Sequence, residues 1–324
     1  MKKSTSILAS TWNDGLFVIE PTDISHELPG HSIRGLSDDL EGGVFAVVDS
    51  HSLFRRDRDG TWNCCAKSEY PLSVTFALGD QVFVGTDDAR VLLLDERGAL
   101  EQIDSFDSID GRNKWFAGTF MVDGKEVGPP LGIRSMSGAS NGCLLANVHV
   151  GGIPRSVDSG ATWAPTVDVE LDVHEVRVSP YNNNLVVAAS AAGLCISYDA
   201  GVNWTTHSKG LHDPYCSAVA VTRSNIFVAC SEGHFTQNGA IYRRSIEPDG
   251  KDLEKVAGGL PNWLRGIADT SCIASRGDEM AIVSANGDVF LSTDAGVSWL
   301  KGPEMVAGVS SVQIVDSSSL LPKQ

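Results

Sequence analysis

The chain has 324 residues, with 41 Asp and Glu against 25 Lys and Arg, for a formal charge of −16. No basic stripe is present to neutralise phosphates, which argues against nucleic acid and anionic membranes as partners. The length permits two domains, and 33 glycines with 13 prolines promise many turns.

The N-terminal MKKSTSILASTWND carries a basic pair but no apolar run of signal-peptide length, and no membrane span is legible. Most of the seven cysteines sit in apolar runs, such as Cys143, Cys195, Cys230 and Cys272. They read as reduced, buried thiols, and adjacent Cys64 and Cys65 point to opposite faces of a strand. A cytoplasmic location is expected.

Strand–turn–strand units then follow one another along the chain. ILAST-WNDG-LFVIE covers 7–20, and VFAVVDSHSLFRR leads into DRDGTW at 57–62. A third unit covers 82–103, and a fourth, CLLANVHVGGIPRS, ends at Ser156. LVVAAS-AAG-LCIS starts at Leu185, the sixth unit covers 226–250, and MAIVS-ANG-DVFLS starts at Met280. Each shows period-2 alternation broken by turn residues. That makes seven units. The first lacks a preceding strand, whereas VSSVQIVD at 309–316 is left without a unit. Pairing this strand with the N-terminal sheet closes a ring and hides its edges. The predicted fold is all-β: a seven-bladed propeller of four-stranded antiparallel blades, one domain over 1–324.

Three octets share the pattern S-x-D-x-G-x-[TNS]-W: Ser156–Trp163, Ser197–Trp204 and Ser292–Trp299. Asp accepts backbone N–H groups in a turn, Gly supplies a left-handed conformation, and Trp packs between sheets. The octet resembles the Asp-box, or BNR repeat, of sialidase-like propellers. The resemblance implies a structural turn rather than an activity. It also implies an active cleft on the face opposite the boxes, where second-to-third-strand turns and blade crossovers lie. The sialidase catalytic pattern is absent: the only Ile-Pro-Arg, at 153–155, lies directly upstream of a box. Other Asp-box propellers act as assembly factors, receptors or lectins.

Long insertions fall on that opposite face, above all 104–131, with Trp115, Phe116, Phe120 and a hairpin turn expected at Asp123–Gly124. This segment is expected to cover the channel mouth. Polar residues begin the innermost strands: Arg34, Arg134, His174 and Tyr215, with Arg265 nearby. Neighbouring turns add Trp12, His149, Glu232 and His234, and a crossover adds His212.

Three readings of these residues stand side by side. In one, Arg34, Arg134 and Arg265 hold a carboxylate while His174, Tyr215 and His149 transfer protons, with Trp12, Trp115, His212 and His234 against the substrate. In the second, His149, His174, His212 and His234 with Glu232 bind a divalent metal. In the third, the residues form a binding surface or hydrogen-bond within the funnel. The expected function is binding of a small anionic or hydroxylated, sugar-like ligand, with hydrolysis or elimination, no cofactor being required. The alternative is a non-catalytic scaffold that holds a protein or glycan on the same face.

Overall fold

The computed structural model describes residues 5–20, 23–39, 41–116, 120–122, 125–127, 131–305 and 308–316, the two short segments 120–122 and 125–127 by backbone alone. Among the described residues the apolar alternation resolves into seven antiparallel blades and one separate two-stranded hairpin. Blade 1 runs outward from Val309–Asp316 through Thr5–Thr11 and Leu16–Ile19 to Ile24–Glu27. The innermost strands of blades 2 to 7 are Ile33–Asp38, Leu72–Leu78, Ile133–Gly138, Val173–Ser179, Tyr215–Val221 and Ile273–Arg276. Each innermost strand touches the innermost strands of both neighbouring blades, so the sheets form a closed ring. The seal is the antiparallel pairing of Thr5–Thr11 with Val309–Asp316, in which Ile7 faces Ile314. Blade 4 is the exception to four full strands: its outermost strand is reduced to a bridge between Arg155 and Ala164.

Second strands such as Val44–Val48 and Leu144–Val148 are buried at every residue, because neighbouring blades cover both of their faces. The resulting cores lie between blades. Phe83, Val91 and Phe106 of blade 3 pack with Leu144 and Ala146 of blade 4.

The three octets fold alike. In the first, Ser156 Oγ donates to Asp158 Oδ1 (2.7 Å) and accepts the Gly160 N–H (2.8 Å). Asp158 accepts the Thr162 N–H, and the Trp163 indole N–H donates to the Gly160 carbonyl. Residues 197–204 and 292–299 repeat these bonds. Each Trp then packs on the preceding blade, as Trp299 does on Phe227. The shortened turn at 57–62 departs from the pattern, since the Trp62 indole donates to Glu27 instead.

The innermost strands are irregular at one level. Ser73, Arg134, His174, Ser217 and Ser310 are each an extra residue in the pairing with the second strand. In blade 2 the irregularity falls at Gly35–Leu36, directly after Arg34. A β-bulge re-aims its side chain, and here it does so toward the channel mouth. Most of these side chains then latch onto the next blade. Ser310 Oγ donates to the Ile33 carbonyl, Arg34 Nη2 to Leu72 and Ser73 Oγ to Ile133. His174 Nδ1 donates to Cys216, and Ser217 Oγ to Ala268. Arg134 breaks the girdle by reaching across to Thr270 Oγ1, 3.2 Å away.

The first half of the 104–131 segment packs between blades rather than over the mouth. Residues Asp104–Asp107 form a short helix, and Phe106 and Trp115 are buried between blades 3 and 4. No residue from 104 to 116 lines the channel cavity. Phe120–Val122 pairs with Lys125–Val127 as a hairpin, whereas the Asp123–Gly124 turn lies outside the described residues. No helix among the described residues is long and apolar enough to cross a membrane.

Candidate functional site at the channel mouth

Four of the bulged residues, Ser73, Arg134, His174 and Ser310, line a cavity of about 580 Å³. It gathers Arg34, Arg134, His149, His174 and Tyr215, with Trp12 and His234 at its edge. Five blades supply these side chains, so the ring itself sets their separations. Three expected residues lie elsewhere. Arg265 makes a two-pronged ion pair with Asp288 and also meets Glu304. His212 bonds the Tyr242 hydroxyl (2.9 Å) and stands edge-on to Trp263. Trp115 is a core residue, packed on Phe106 beneath the Arg112 guanidinium. Glu232 is also absent from the cavity lining, so the four-histidine metal set does not converge.

Three aspartates complete the cavity and were not singled out from the sequence: Asp87, Asp172 and Asp269. A positional signal for two residues of the lining exists in the repeat. Asp49, Asp87 and His149 each directly follow a second strand, and each donates its N–H to the residue preceding the innermost strand. Ala191 makes the same bond to Asp172, which marks Asp172 as the matching entry residue of blade 5. Asp172 adopts a left-handed backbone (φ 51°), one that aspartate tolerates better than most residues.

The arginines are engaged. Arg34 Nη2 lies 2.6 Å from Asp87 Oδ2, and its guanidinium stands over the Trp12 ring. Arg134 lies 3.7 Å from Asp269 Oδ1, and His234 approaches the same carboxylate at 3.8 Å. Two arginines against three aspartates leave one net negative charge with the histidines neutral. The mouth is therefore not a basic patch, although Arg34 and Arg134 line it.

His149 and His174 lie side by side, with ring centroids 6.1 Å apart, and Tyr215 is 4.7 Å from His174. Asp172 Oδ1 is 3.3 Å from His149 Nε2 and 3.6 Å from His174 Nε2. Burial, followed by the Arg134 charge, pushes His149 down to about 4, so it is a neutral imidazole at pH 7. Burial, with Asp269 next, raises Tyr215 to about 12, so its phenol keeps its proton. His174 foremost, then His149 and Arg134, hold the Asp172 carboxyl below the ordinary range against a burial penalty. The cavity thus juxtaposes a lone-pair donor, a proton donor and a carboxylate.

Fold and cavity together define a seven-bladed propeller with a ligand-sized polar mouth. No protein-family model matches the chain, and no curated protein does. Solved structures match it in fold. An ancestral GH74 enzyme superposes with a TM-score of 0.59 at 12% identity, over 97% of this chain and 40% of that one. The chain therefore spans two fifths of that enzyme's length. YCF48 bound to D1 peptide gives 0.58 at 14% identity, over 98% of both chains. The RRP9 WD40 repeats give 0.61 at 10% identity, over 95% and 88%. At these identities the likeness is one of fold.

Proposed function

We propose that the channel mouth binds a small hydroxylated acid, of sugar-acid type, and catalyses its hydrolysis or elimination. The observation that carries this reading is the convergence of Arg34, Arg134, His149, His174 and Tyr215 on one cavity of about 580 Å³. Arg134, the residue that leaves the girdle, is suited to hold the ligand carboxylate. Asp87 and Asp269 accept ligand hydroxyls, so the net negative charge selects a ligand rich in donors. Trp12 and Phe235, 44% and 74% exposed at the rim, offer faces for a sugar ring. Neutral His149 takes a proton and Tyr215 returns one to the leaving oxygen, with His174 beside them.

We further propose that residues 1–324 act as one Asp-box propeller without the sialidase catalytic pattern. Its seven free thiols, five of them buried, fit a reducing cytoplasm.

The test is a panel of hexuronic acids and their oligomers, read by calorimetry and by the ultraviolet absorbance of a newly formed conjugated acid. Arg134→Ala should weaken binding about 10- to 100-fold, the value of one charge-assisted contact. Tyr215→Phe should keep binding and lose turnover. If no acid binds and a peptide or neutral glycan does, the scaffold reading replaces this one. The exposed Phe235 and Trp12 favour that second reading.

A further inference from the structure

His174 has a fixed tautomer. A carbonyl oxygen only accepts, so the 2.6 Å contact with Cys216 requires the proton on Nδ1. In the neutral ring, Nε2 then bears a lone pair, and that lone pair faces Asp172 Oδ1 at 3.6 Å. His149 Nε2 approaches the same oxygen at 3.3 Å, yet neither contact has hydrogen-bond geometry. Asp172 Oδ1 and His149 Nδ1 are buried polar atoms without a hydrogen-bond partner. Two imidazoles and a carboxylate therefore point at one place, with Asp172 Oδ1 unbonded between the two rings.

We propose that His149, His174 and Asp172 hold a divalent first-row transition-metal ion at the channel mouth. One ligand atom from each residue lies within 4.8 Å of the other two. Tetrahedral ligands at about 2.0–2.1 Å from an ion sit about 3.3 Å apart, which matches the separations of 3.3 and 3.6 Å. Two histidines and one carboxylate form a set that leaves coordination positions open. Those positions face the cavity, since all three residues line it. The Nδ1–H bond of His174 to a backbone carbonyl is the outer contact that orients a ligating histidine. Charge argues the same way. The mouth carries one net negative charge with its arginines already paired, and a divalent ion turns that to one net positive.

The inference rests on the reading that the mouth is the functional site, and it deepens that reading. It changes one role in that reading: with an ion bound, His149 and His174 would be its ligands and His149 would no longer take the proton, while the acid's carboxylate or hydroxyl would meet the open positions and Tyr215 would remain the proton-bearing group. The ligand set also differs from the histidine set expected from the sequence. His212, His234 and Glu232 take no part.

The test uses the full chain, freed of metal by a chelator and titrated with Co²⁺. The expected result is one Co²⁺ per chain with visible d–d absorption. Asp172→Asn and His149→Gln should each weaken binding about 100-fold or more, while exposed His51→Gln leaves it unchanged. Asparagine accepts the left-handed backbone at 172, and circular dichroism checks that each variant is folded. Zn²⁺ should raise the melting temperature of the wild type but not of Asp172→Asn. Cobalt binding equal in wild type and both variants, or no stoichiometric binding, overturns the proposal. If the chelated protein binds acids fully and takes up no ion, the ligand reading stands alone. If the ion binds and no acid does, only the metal site stands.

Discussion

The imidazole of His174 makes, through Nδ1, the bond to the Cys216 carbonyl that Ser73 and Ser217 make with hydroxyls in their own blades. One side chain thus closes a seam between blades and still has a second nitrogen for the channel. Serine at the same level closes the seam and ends there. His174→Ser should therefore lose less stability than His174→Ala, while both lose whatever chemistry the mouth performs. Urea denaturation read beside ligand binding separates the two effects.

The serine latches give a simpler expectation. Ser217 is buried, and Ser217→Ala leaves the Ala268 carbonyl without this donor. The cost should be about 1–2 kcal/mol, seen as a lower urea midpoint with an unchanged slope.

A pH dependence follows from His149. Its ordinary value is 6.5 and its folded value about 4, so the unfolded chain binds more protons between those limits. Stability of the chelated protein should therefore rise with pH from about 4 to about 6.5 and then level off. The ceiling of this contribution is roughly 3 kcal/mol. Denaturation midpoints measured across that window, for wild type and His149→Gln, should differ in slope.

The octet carboxylates act in the same direction, at lower pH. Asp158 is held at about 2 by the Thr162 hydroxyl first, Asp199 by the Asn203 N–H, and Asp294 by the Ser298 hydroxyl. Their folded values lie below the ordinary 3.8, so their stabilising effect is complete above that pH. It is lost as pH falls through about 2. Carboxyl carbon NMR should find all three still ionised at pH 3.

Gly296 shows how tightly an octet meets its neighbour. Its φ is +79°, and a Cβ there would lie 2.4 Å from Phe227 Cζ. Gly296→Ala should combine backbone strain with displacement of a buried ring, costing about 2–4 kcal/mol. Thermal denaturation measures it.

The fold was legible because it is repetitive: alternation, turn residues and three octets state the same unit many times. Ring closure followed from counting strands, and Val309–Asp316 pairs as that count required. The mouth was legible only in part. Arg34, Arg134, His149, His174 and Tyr215 were found as polar residues near the ends of apolar strands. Arg265 has the same appearance in sequence but turns to Asp288, because its short strand pairs with Asn238–Gly239 at the outer side of blade 6. Trp115 looked like a rim aromatic, yet it packs on Phe106, which in turn stands edge-on to Trp163 in the same buried cluster. The bulges were invisible. A single extra residue leaves no mark in an alternating pattern, although it decides which side chain enters the channel.

The closing strand also sets an order of events. Thr5 meets Asp316 across nearly the whole chain, and the same strand contributes Val309 and Ser310 to the cavity wall. Hairpins within a blade form between near neighbours, whereas this pairing requires both ends of the chain to meet. The part of the mouth that Val309 and Ser310 wall is thus expected to form late in folding. On refolding, recovery of ligand capture should lag behind recovery of β structure and report the moment of closure.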